Sequence, residues 1–164
     1  MLDLQQLLAI EEIKQLKARY WRCIDTKSFD ELRTVFAEDG IFDFREALRD
    51  PVTGTPEGIA EQPPVEGCEN IIAQVSDALK IAQSAHHGHA PEIEIVSDSE
   101  ATAIWPFEDV VLNGGFEFRG FGHYRDTYAK IDGAWRIKHS QITRLRVMIL
   151  QSGGENTMFS DDEA

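Results

Sequence analysis

The chain of 164 residues is long enough for one domain with one sizeable core, and hydrophobic residues make up 42% of it. Its formal net charge is −13, so phosphate backbones and anionic lipid surfaces would repel it. These values argue against nucleic-acid and membrane partners and leave small-molecule chemistry open. A single domain is predicted over residues 1–150, followed by a polar tail at 151–164.

The first segment is predicted to be one long helix. Apolar residues recur three or four positions apart and form one stripe, which comprises Ile10, Ile13, Leu16, Tyr20 and Ile24. Ser28 and Glu31 have the spacing of a capping box, which predicts a second, short helix. Residues 45–66 are rich in proline and glycine and are predicted to form a long loop, either a lid or a mobile insertion.

The second half of the chain is predicted to be rich in β-strands. A third helix, with Ile71 and Val75 on its buried side, precedes four β-rich runs that turn signals separate. The strongest signal is Asp132-Gly133, a two-residue hairpin turn between YAKI and AWRI. Helices followed by a meander of long strands predict an α+β fold. A curved sheet wrapped around a long helix would enclose a pocket for a small apolar ligand.

Two polar residues on the first helix are candidates for chemistry. Asp25 lies at the helix C-terminus, where the helix dipole disfavours a carboxylate, and burial would raise its pKa further. A raised pKa would suit proton transfer near neutral pH, although a solvated aspartate that starts a turn is the commoner case. Tyr20 lies on the apolar stripe, so its ring should be buried and its hydroxyl needs a partner, in the core or on a ligand.

Three histidines in four positions, His86, His87 and His89, follow the third helix in SAHHGHAPEIEI. On a regular strand His87 and His89 share a face, as pairs of metal ligands do, and His86 faces the other way. No third or fourth ligand is evident, so no metal is expected. Gly88 and Pro91 can interrupt the alternation, so parity alone does not fix which histidine points inward.

The register of the last strand makes Arg144 a candidate. In AWRIKHSQITRLRV, Trp135 and Ile137 lie on one face, whereas Ile142 lies on the opposite one. A β-bulge between them would turn Arg144 inward beside Ile142, where it would need a carboxylate or a ligand. Without a bulge, Arg144 would be an outward, exposed arginine. Four further residues are weaker candidates: Asp109, His123, Tyr124 and Tyr128.

The sequence has no motif for phosphate binding, dinucleotide binding or a nucleophilic serine. The predicted chemistry is therefore proton transfer without a bound cofactor. Cys23 and Cys68 lack the spacing of a disulfide framework or zinc site, and the first residues lack the pattern of a signal peptide. Together these features predict a cytoplasmic protein.

Five stretches together resemble the SnoaL-like branch of the nuclear transport factor 2-like superfamily: KARYWRCIDTKSFDEL, HHGHAPEI, AIWPFED, YAKIDGAWRI and ITRLRV. Within it, the chain most resembles the bile-acid 7α-dehydratases and, more distantly, the scytalone dehydratases. The resemblance implies a cone-shaped fold. In such a fold a curved mixed or antiparallel sheet wraps around the long N-terminal helix, two further helices close it, and the pocket lies at the wide end.

The resemblance also implies a catalytic site of Tyr20, Asp25, His86 and Arg144, in which Asp25 and His86 form an acid–base pair without a metal. It implies a cofactor-independent dehydratase acting on an apolar cyclic or polycyclic hydroxy-carbonyl compound. A double-bond isomerase or ring cyclase with the same site is an alternative. So is a non-catalytic ligand-binding or assembly subunit, because the fold hosts all of these.

Two kinds of partner are expected, a small apolar cyclic ligand and further copies of the chain. Self-association is expected because the outer face of the sheet is predicted to carry large residues, namely Trp105, Phe107, Phe116 and Phe118. Relatives of this kind form dimers or trimers, and the sequence does not choose between them.

Overall fold

A computed structural model describes residues 3–55 and 63–151 of the chain. The helical elements are α1 (Leu4–Asp25), a 3₁₀ helix (Phe29–Thr34) and α2 (Cys68–Leu79). The strands are β1 (Phe36–Asp43), β2 (Val65–Glu66), β3 (Gln83–Gly88), β4 (Glu92–Ser97), β5 (Glu100–Asn113), β6 (Phe116–Ile131) and β7 (Ala134–Gln151).

The strands of the described residues form one mixed sheet of seven strands. Its order is β2-β1-β7-β6-β5-β3, and β4 pairs with the other end of β5. β1 runs parallel to β7, whereas the other pairs are antiparallel. The curved sheet holds α1 against its inner face, which confirms the predicted α+β cone.

The predicted apolar stripe attaches α1 to the sheet. Asp3 begins the helix with a capping box, in which its carboxylate accepts from the Gln6 amide and the Gln6 side chain accepts from the Asp3 amide. The buried residues of α1 lie on one side and are Ala9, Ile13, Leu16, Lys17, Tyr20, Cys23 and Ile24. Because the helix ends at Asp25, this carboxylate lies at the edge of the core, beside β3.

The capping box predicted at Ser28 is wrong, although a short helix does begin there. The Ser28 side chain makes no capping hydrogen bond, and the helix is of the 3₁₀ type. Glu31 does not reach back to Ser28 because its carboxylate is paired with Arg22 at 2.7 Å.

Two β-bulges in β7 set the direction of its side chains. The register with β6 shifts between Thr127 and Tyr128 and again between Phe121 and Gly122, so Lys138 and Leu145 are the extra residues. Before the first bulge the buried side chains of β7 are at odd-numbered positions such as Ile137, and after it they are at even-numbered positions. The list of buried residues after it is Ser140, Ile142 and Arg144. The bulge expected from the sequence is therefore present, and Arg144 points inward.

The hairpin predicted at Asp132-Gly133 is confirmed. Both residues have left-handed backbones, with φ values of 49° and 80°, as a tight turn between twisted strands requires. The turn joins β6 to β7 and so aligns the two strands over most of their length.

The prediction for the outer face of the sheet is wrong at Trp105 and Phe107. Both rings are 3% exposed, because β5 turns its odd-numbered side chains into the core. Phe116 is half exposed, and Phe118 is partly buried under the guanidinium of Arg144. Self-association consequently stays a prediction that Trp105 and Phe107 do not support.

The loop predicted over 45–66 is attached to β7 in its first part. The Ala47 carbonyl accepts from Arg144 Nε at 2.7 Å, and the Asp50 carboxylate accepts from the Val147 amide at 2.9 Å. Residues 56–62 and most of the predicted tail, 152–164, lie outside the described residues. None of the described helices is long and apolar enough to cross a membrane.

Candidate active site

Asp25 and His86 meet at the junction of α1 and β3. The distance between Asp25 Oδ1 and His86 Nδ1 is 2.7 Å, and Asp25 Oδ2 accepts from the His86 amide at 2.9 Å. The side chain of His86 is 6% exposed and that of Asp25 is 22% exposed. The two residues, far apart in the sequence, thus form a hydrogen-bonded pair that is largely shielded from water.

The expectation that the pKa of Asp25 would be raised is wrong. Burial does act to raise it, but the hydrogen bonds and charge of His86, together with the Ser84 hydroxyl, outweigh burial and hold the pKa of Asp25 below its ordinary value. An ionised carboxylate only accepts hydrogen bonds. In its neutral form His86 therefore carries its proton on Nδ1, which leaves a lone pair on Nε2.

Arg144 and Asp109 form a second buried pair beside the first. Arg144 Nη1 and Nη2 donate to the two oxygens of Asp109 at 2.6 and 3.0 Å, a bidentate geometry. Asp109 Oδ2 lies 3.9 Å from His86 Nε2, which is too long for a hydrogen bond and close enough for a strong electrostatic interaction. His86 is thus placed between two carboxylates.

Tyr20 is buried against aromatic rings of the core. Its ring makes edge contacts with Phe36, Phe42 and Tyr124, at centroid distances of 5.7, 6.4 and 5.9 Å. Burial is the main reason why the pKa values of both Tyr20 and Tyr124 are raised, and their hydroxyls interact with each other. Tyr20 is therefore a neutral hydrogen-bond donor at physiological pH.

The other two histidines of the cluster point away from this site. The side chain of His87 is 64% exposed, and that of His89 is also exposed. Among residues 3–55 and 63–151, no three His, Cys, Asp or Glu side chains are grouped in a way that could hold a metal ion.

Two concavities in the described part of the chain lie away from His86. One, of about 590 Å³, is on the outer face of the sheet and includes Arg125 and His139. The other, of about 680 Å³, lies at the start of α2 and includes Arg33 and Cys68. A closed pocket around His86 stays a prediction.

The family described as "SnoaL-like domain" matches residues 5–141 of the chain. This chain belongs to the SnoaL-like family. The predicted membership of the nuclear transport factor 2-like superfamily is thereby confirmed, whereas the closer resemblance to bile-acid 7α-dehydratases stays a prediction.

Solved structures similar to this SnoaL-like domain support the fold. One is a candidate scytalone dehydratase from Novosphingobium aromaticivorans DSM 12444, with a TM-score of 0.71 and 19% identity over 88% of this chain and 89% of that chain. Another is hexachlorocyclohexane dehydrochlorinase LinA-type3 from Novosphingobium barchaimii LL02, with a TM-score of 0.71 and 18% identity over 91% and 94%. The Kfla4162 protein from Kribbella flavida has a TM-score of 0.71 and 19% identity over 84% and 91%.

Gly120 is the residue of this SnoaL-like domain that lets Asp109 and Arg144 meet. It lies on β6 between the strands that carry them, and a Cβ at this position would collide with both the Asp109 carboxylate and the Arg144 guanidinium. Neither group is free to move aside, because each is held by the other and Arg144 is also held by the Ala47 carbonyl. The missing side chain is therefore part of the site.

We expect Gly120→Ala to separate the ion pair and to lower the free energy of unfolding by about 1–3 kcal/mol, the usual effect of overpacking. Urea unfolding followed by circular dichroism measures this change. Gly114→Ala is the comparison: a Cβ there has open space, so its loss of stability reports only the strain of alanine at a φ of 56°, whereas Gly120 lacks a left-handed backbone and its loss reports the collision. Native stability and an intact pair in Gly120→Ala would contradict the role given to Gly120.

Proposed function

We propose that the protein is a cofactor-independent dehydratase for an apolar cyclic or polycyclic hydroxy-carbonyl compound, with His86 as the general acid–base catalyst. The observation that carries the proposal is the buried Asp25–His86 pair at 2.7 Å, whose hydrogen bonds leave the Nε2 lone pair free. Membership of a SnoaL-like family and a fold shared with a dehydrochlorinase and a candidate scytalone dehydratase support it.

In this mechanism His86 Nε2 removes the proton from the carbon next to the carbonyl, or from its vinylogous position. The electron pair of that C–H bond becomes part of an enolate and then expels the hydroxyl group at the β-carbon. The proton held by His86 is passed to the departing hydroxyl, which leaves as water. The products are one enone and one water molecule, and the enzyme returns to its starting protonation state.

Three neighbouring groups would assist the transfer. The carboxylates of Asp25 and Asp109 lie on opposite sides of the ring and would stabilise the imidazolium that forms after His86 accepts the proton. Arg144 keeps N–H groups beyond those bonded to Asp109, and these would favour negative charge on the carbonyl oxygen. Tyr20 would donate to the carbonyl or to the departing hydroxyl.

The test is a panel of cyclic β-hydroxy ketones incubated with the purified chain, followed by enone absorbance and product mass. We expect at least one compound to lose the mass of one water. His86→Ala should reduce the rate by about 10²- to 10⁴-fold. Equal product from the variant, or no product from any compound, would reject the proposal.

Product mass also separates the alternative reactions of the same site. A double-bond isomerase removes and returns a proton, so its product has the mass of the substrate. A ring cyclase that uses the same enolate for an aldol addition likewise keeps the mass, and gains a ring. Only dehydration lowers the mass by one water.

A further inference from the structure

Lys27 has a backbone conformation that lysine rarely adopts. It is the second residue after α1 and has a φ of 62°, in the left-handed region. The Ser28 amide donates to the Cys23 carbonyl at 2.9 Å, a bond typical of helix ends where glycine occupies the left-handed position. Glycine would adopt this conformation without strain, so a lysine here points to a role for its side chain.

The side chain of Lys27 turns back toward the candidate active site. Its Nζ donates to Ser84 Oγ at 3.0 Å and to the Ile24 carbonyl at 3.2 Å. Burial lowers the pKa of Lys27, and the nearby Asp25 carboxylate opposes that shift. The ammonium group is therefore partly withdrawn from water and is hydrogen-bonded to Ser84, which in turn donates to Asp25.

The hydrogen bonds from Lys27 to His86 can run in only one direction. An ammonium group donates and cannot accept, so Ser84 Oγ accepts from Lys27 and turns its own O–H toward Asp25 Oδ1, at 2.9 Å. Asp25, which is ionised, accepts from Ser84 and from His86 Nδ1. The ammonium group of Lys27 therefore sets the direction of the Ser84 hydroxyl, and the bond that this hydroxyl donates favours the ionised form of Asp25, which requires the proton on His86 Nδ1.

We propose that Lys27 is a positioning residue that acts through Ser84 and Asp25 to hold His86 in the Nδ1–H tautomer. The value of this tautomer for catalysis rests on the proposed function, whereas the tautomer itself does not. Lys27 has no hydrogen bond to His86, so it acts on the imidazole through Asp25, both by way of the Ser84 hydroxyl and by the direct attraction between the two charges.

The test uses Lys27→Gly, which removes the cation and relieves the backbone at once. We expect this variant to be at least as stable as the wild type in urea, while the Nε2–H tautomer of His86 gains population. Long-range ¹H–¹⁵N correlation spectra of the imidazole rings report the tautomer, and His86→Gln identifies the signal among the five histidines. If dehydration is detected, its rate should fall by about 10-fold.

Two comparisons separate positioning from a general effect on the fold. Asp132→Gly relieves the other non-glycine residue with a left-handed backbone among residues 3–55 and 63–151, φ 49°, and should leave both the tautomer and the rate unchanged. In a Ser84→Ala background, Lys27→Gly should have a smaller effect on the tautomer, because only the direct attraction between the Lys27 and Asp25 charges is left to remove.

An unchanged tautomer in Lys27→Gly, or equal effects of this change with and without Ser84, would overturn the proposal. The spectra give this answer even when no substrate is turned over. A shifted tautomer in a chain without dehydratase activity would support the positioning role and reject the proposed function, so the two failures are distinguishable.

Discussion

Asp25→Asn is expected to lower the rate of dehydration by about 10²- to 10⁴-fold while leaving the fold intact. The asparagine has the size of the aspartate, and Asp25 is in contact with three donors: the His86 amide, His86 Nδ1 and the Ser84 hydroxyl. An amide offers one acceptor atom and one donor atom in place of two acceptors. Because the His86 amide uses Oδ2 and the other two donors share Oδ1, the two contacts at Oδ1 must change their direction when the amide keeps the oxygen.

The consequence for the imidazole is that its proton moves to the other ring nitrogen. The backbone amide of His86 can only donate, so it takes the oxygen of the introduced asparagine and leaves the side-chain NH₂ facing Nδ1. His86 then accepts at Nδ1 and carries its proton on Nε2, which removes the lone pair that accepts the proton from the substrate. The loss of activity would come from a displaced proton in an otherwise native site.

Rate measurements with urea unfolding of the same samples test this prediction. His86→Ala should be about as slow as Asp25→Asn, and the double variant should be little slower than either, because the two residues act as one unit. Independent, multiplying effects would mean that Asp25 does not act through His86. A native rate in Asp25→Asn would remove Asp25 from the mechanism.

Lys17→Met is expected to lower the free energy of unfolding by about 3–5 kcal/mol, the usual cost of breaking a buried ion pair. Lys17 Nζ lies 2.7 Å from Asp126 Oδ2, and neither side chain is exposed to solvent. Burial lowers the pKa of Lys17, and the charge of Asp126 opposes that shift. The variant would keep Asp126, which also accepts from Tyr128 and Ser140, as a buried carboxylate without its cation.

The double variant Lys17→Met/Asp126→Asn is the matched control. The second substitution removes the unpaired charge, and because Tyr128 and Ser140 contact different oxygens of Asp126, the asparagine oxygen accepts from one hydroxyl while its NH₂ group donates to the other. We expect the double variant to recover most of the lost stability in urea unfolding. A loss in Lys17→Met smaller than about 1 kcal/mol would mean that the ion pair contributes no more than an exposed one.

Register arguments predicted Arg144 because the signal was local to one strand. Trp135 and Ile137 are out of phase with Ile142, so only an extra residue between them can place all three in the core, and Lys138 is that residue. The partner of the arginine was not predictable in the same way. Asp109 lies on β5, two strands away, and Gly120 on the intervening strand is the only local sign of the contact.

The face of β5 could not be assigned from alternation, since apolar residues occur at both parities. Ile104 and Val110 lie on one face of β5, and Trp105 and Phe107 on the other. Placing the two large rings outside was wrong, and Asp109, which shares their parity, is buried on the same face. Contacts of Trp105 with α1 and of Phe107 with β6 determine which face of β5 is buried, and these contacts form only in the assembled sheet.

Long-range contacts also explain the error over Asp25 and the absence of Lys17 from the candidates. The helix dipole and burial both act to raise the pKa of Asp25, whereas the donors that lower it, His86 and Ser84, come from β3. Lys17 occupies the apolar stripe of α1, four residues after Ile13, which is an unusual place for a charge. Its charge is balanced by the ion pair with Asp126, and the two residues come into contact only in the folded protein.

The parallel pairing of β1 with β7 affects how the chain matures on the ribosome. Phe42 of β1 lies opposite Ser140 of β7. β1 is synthesised early, so the edge that pairs with β7 stays uncovered until the last strand has been made. Arg144 emerges later still and completes the ion pair with Asp109. A nascent chain that stops short of β7 is therefore expected to expose an aggregation-prone edge of β1 and to lack the Arg144–Asp109 ion pair until synthesis ends.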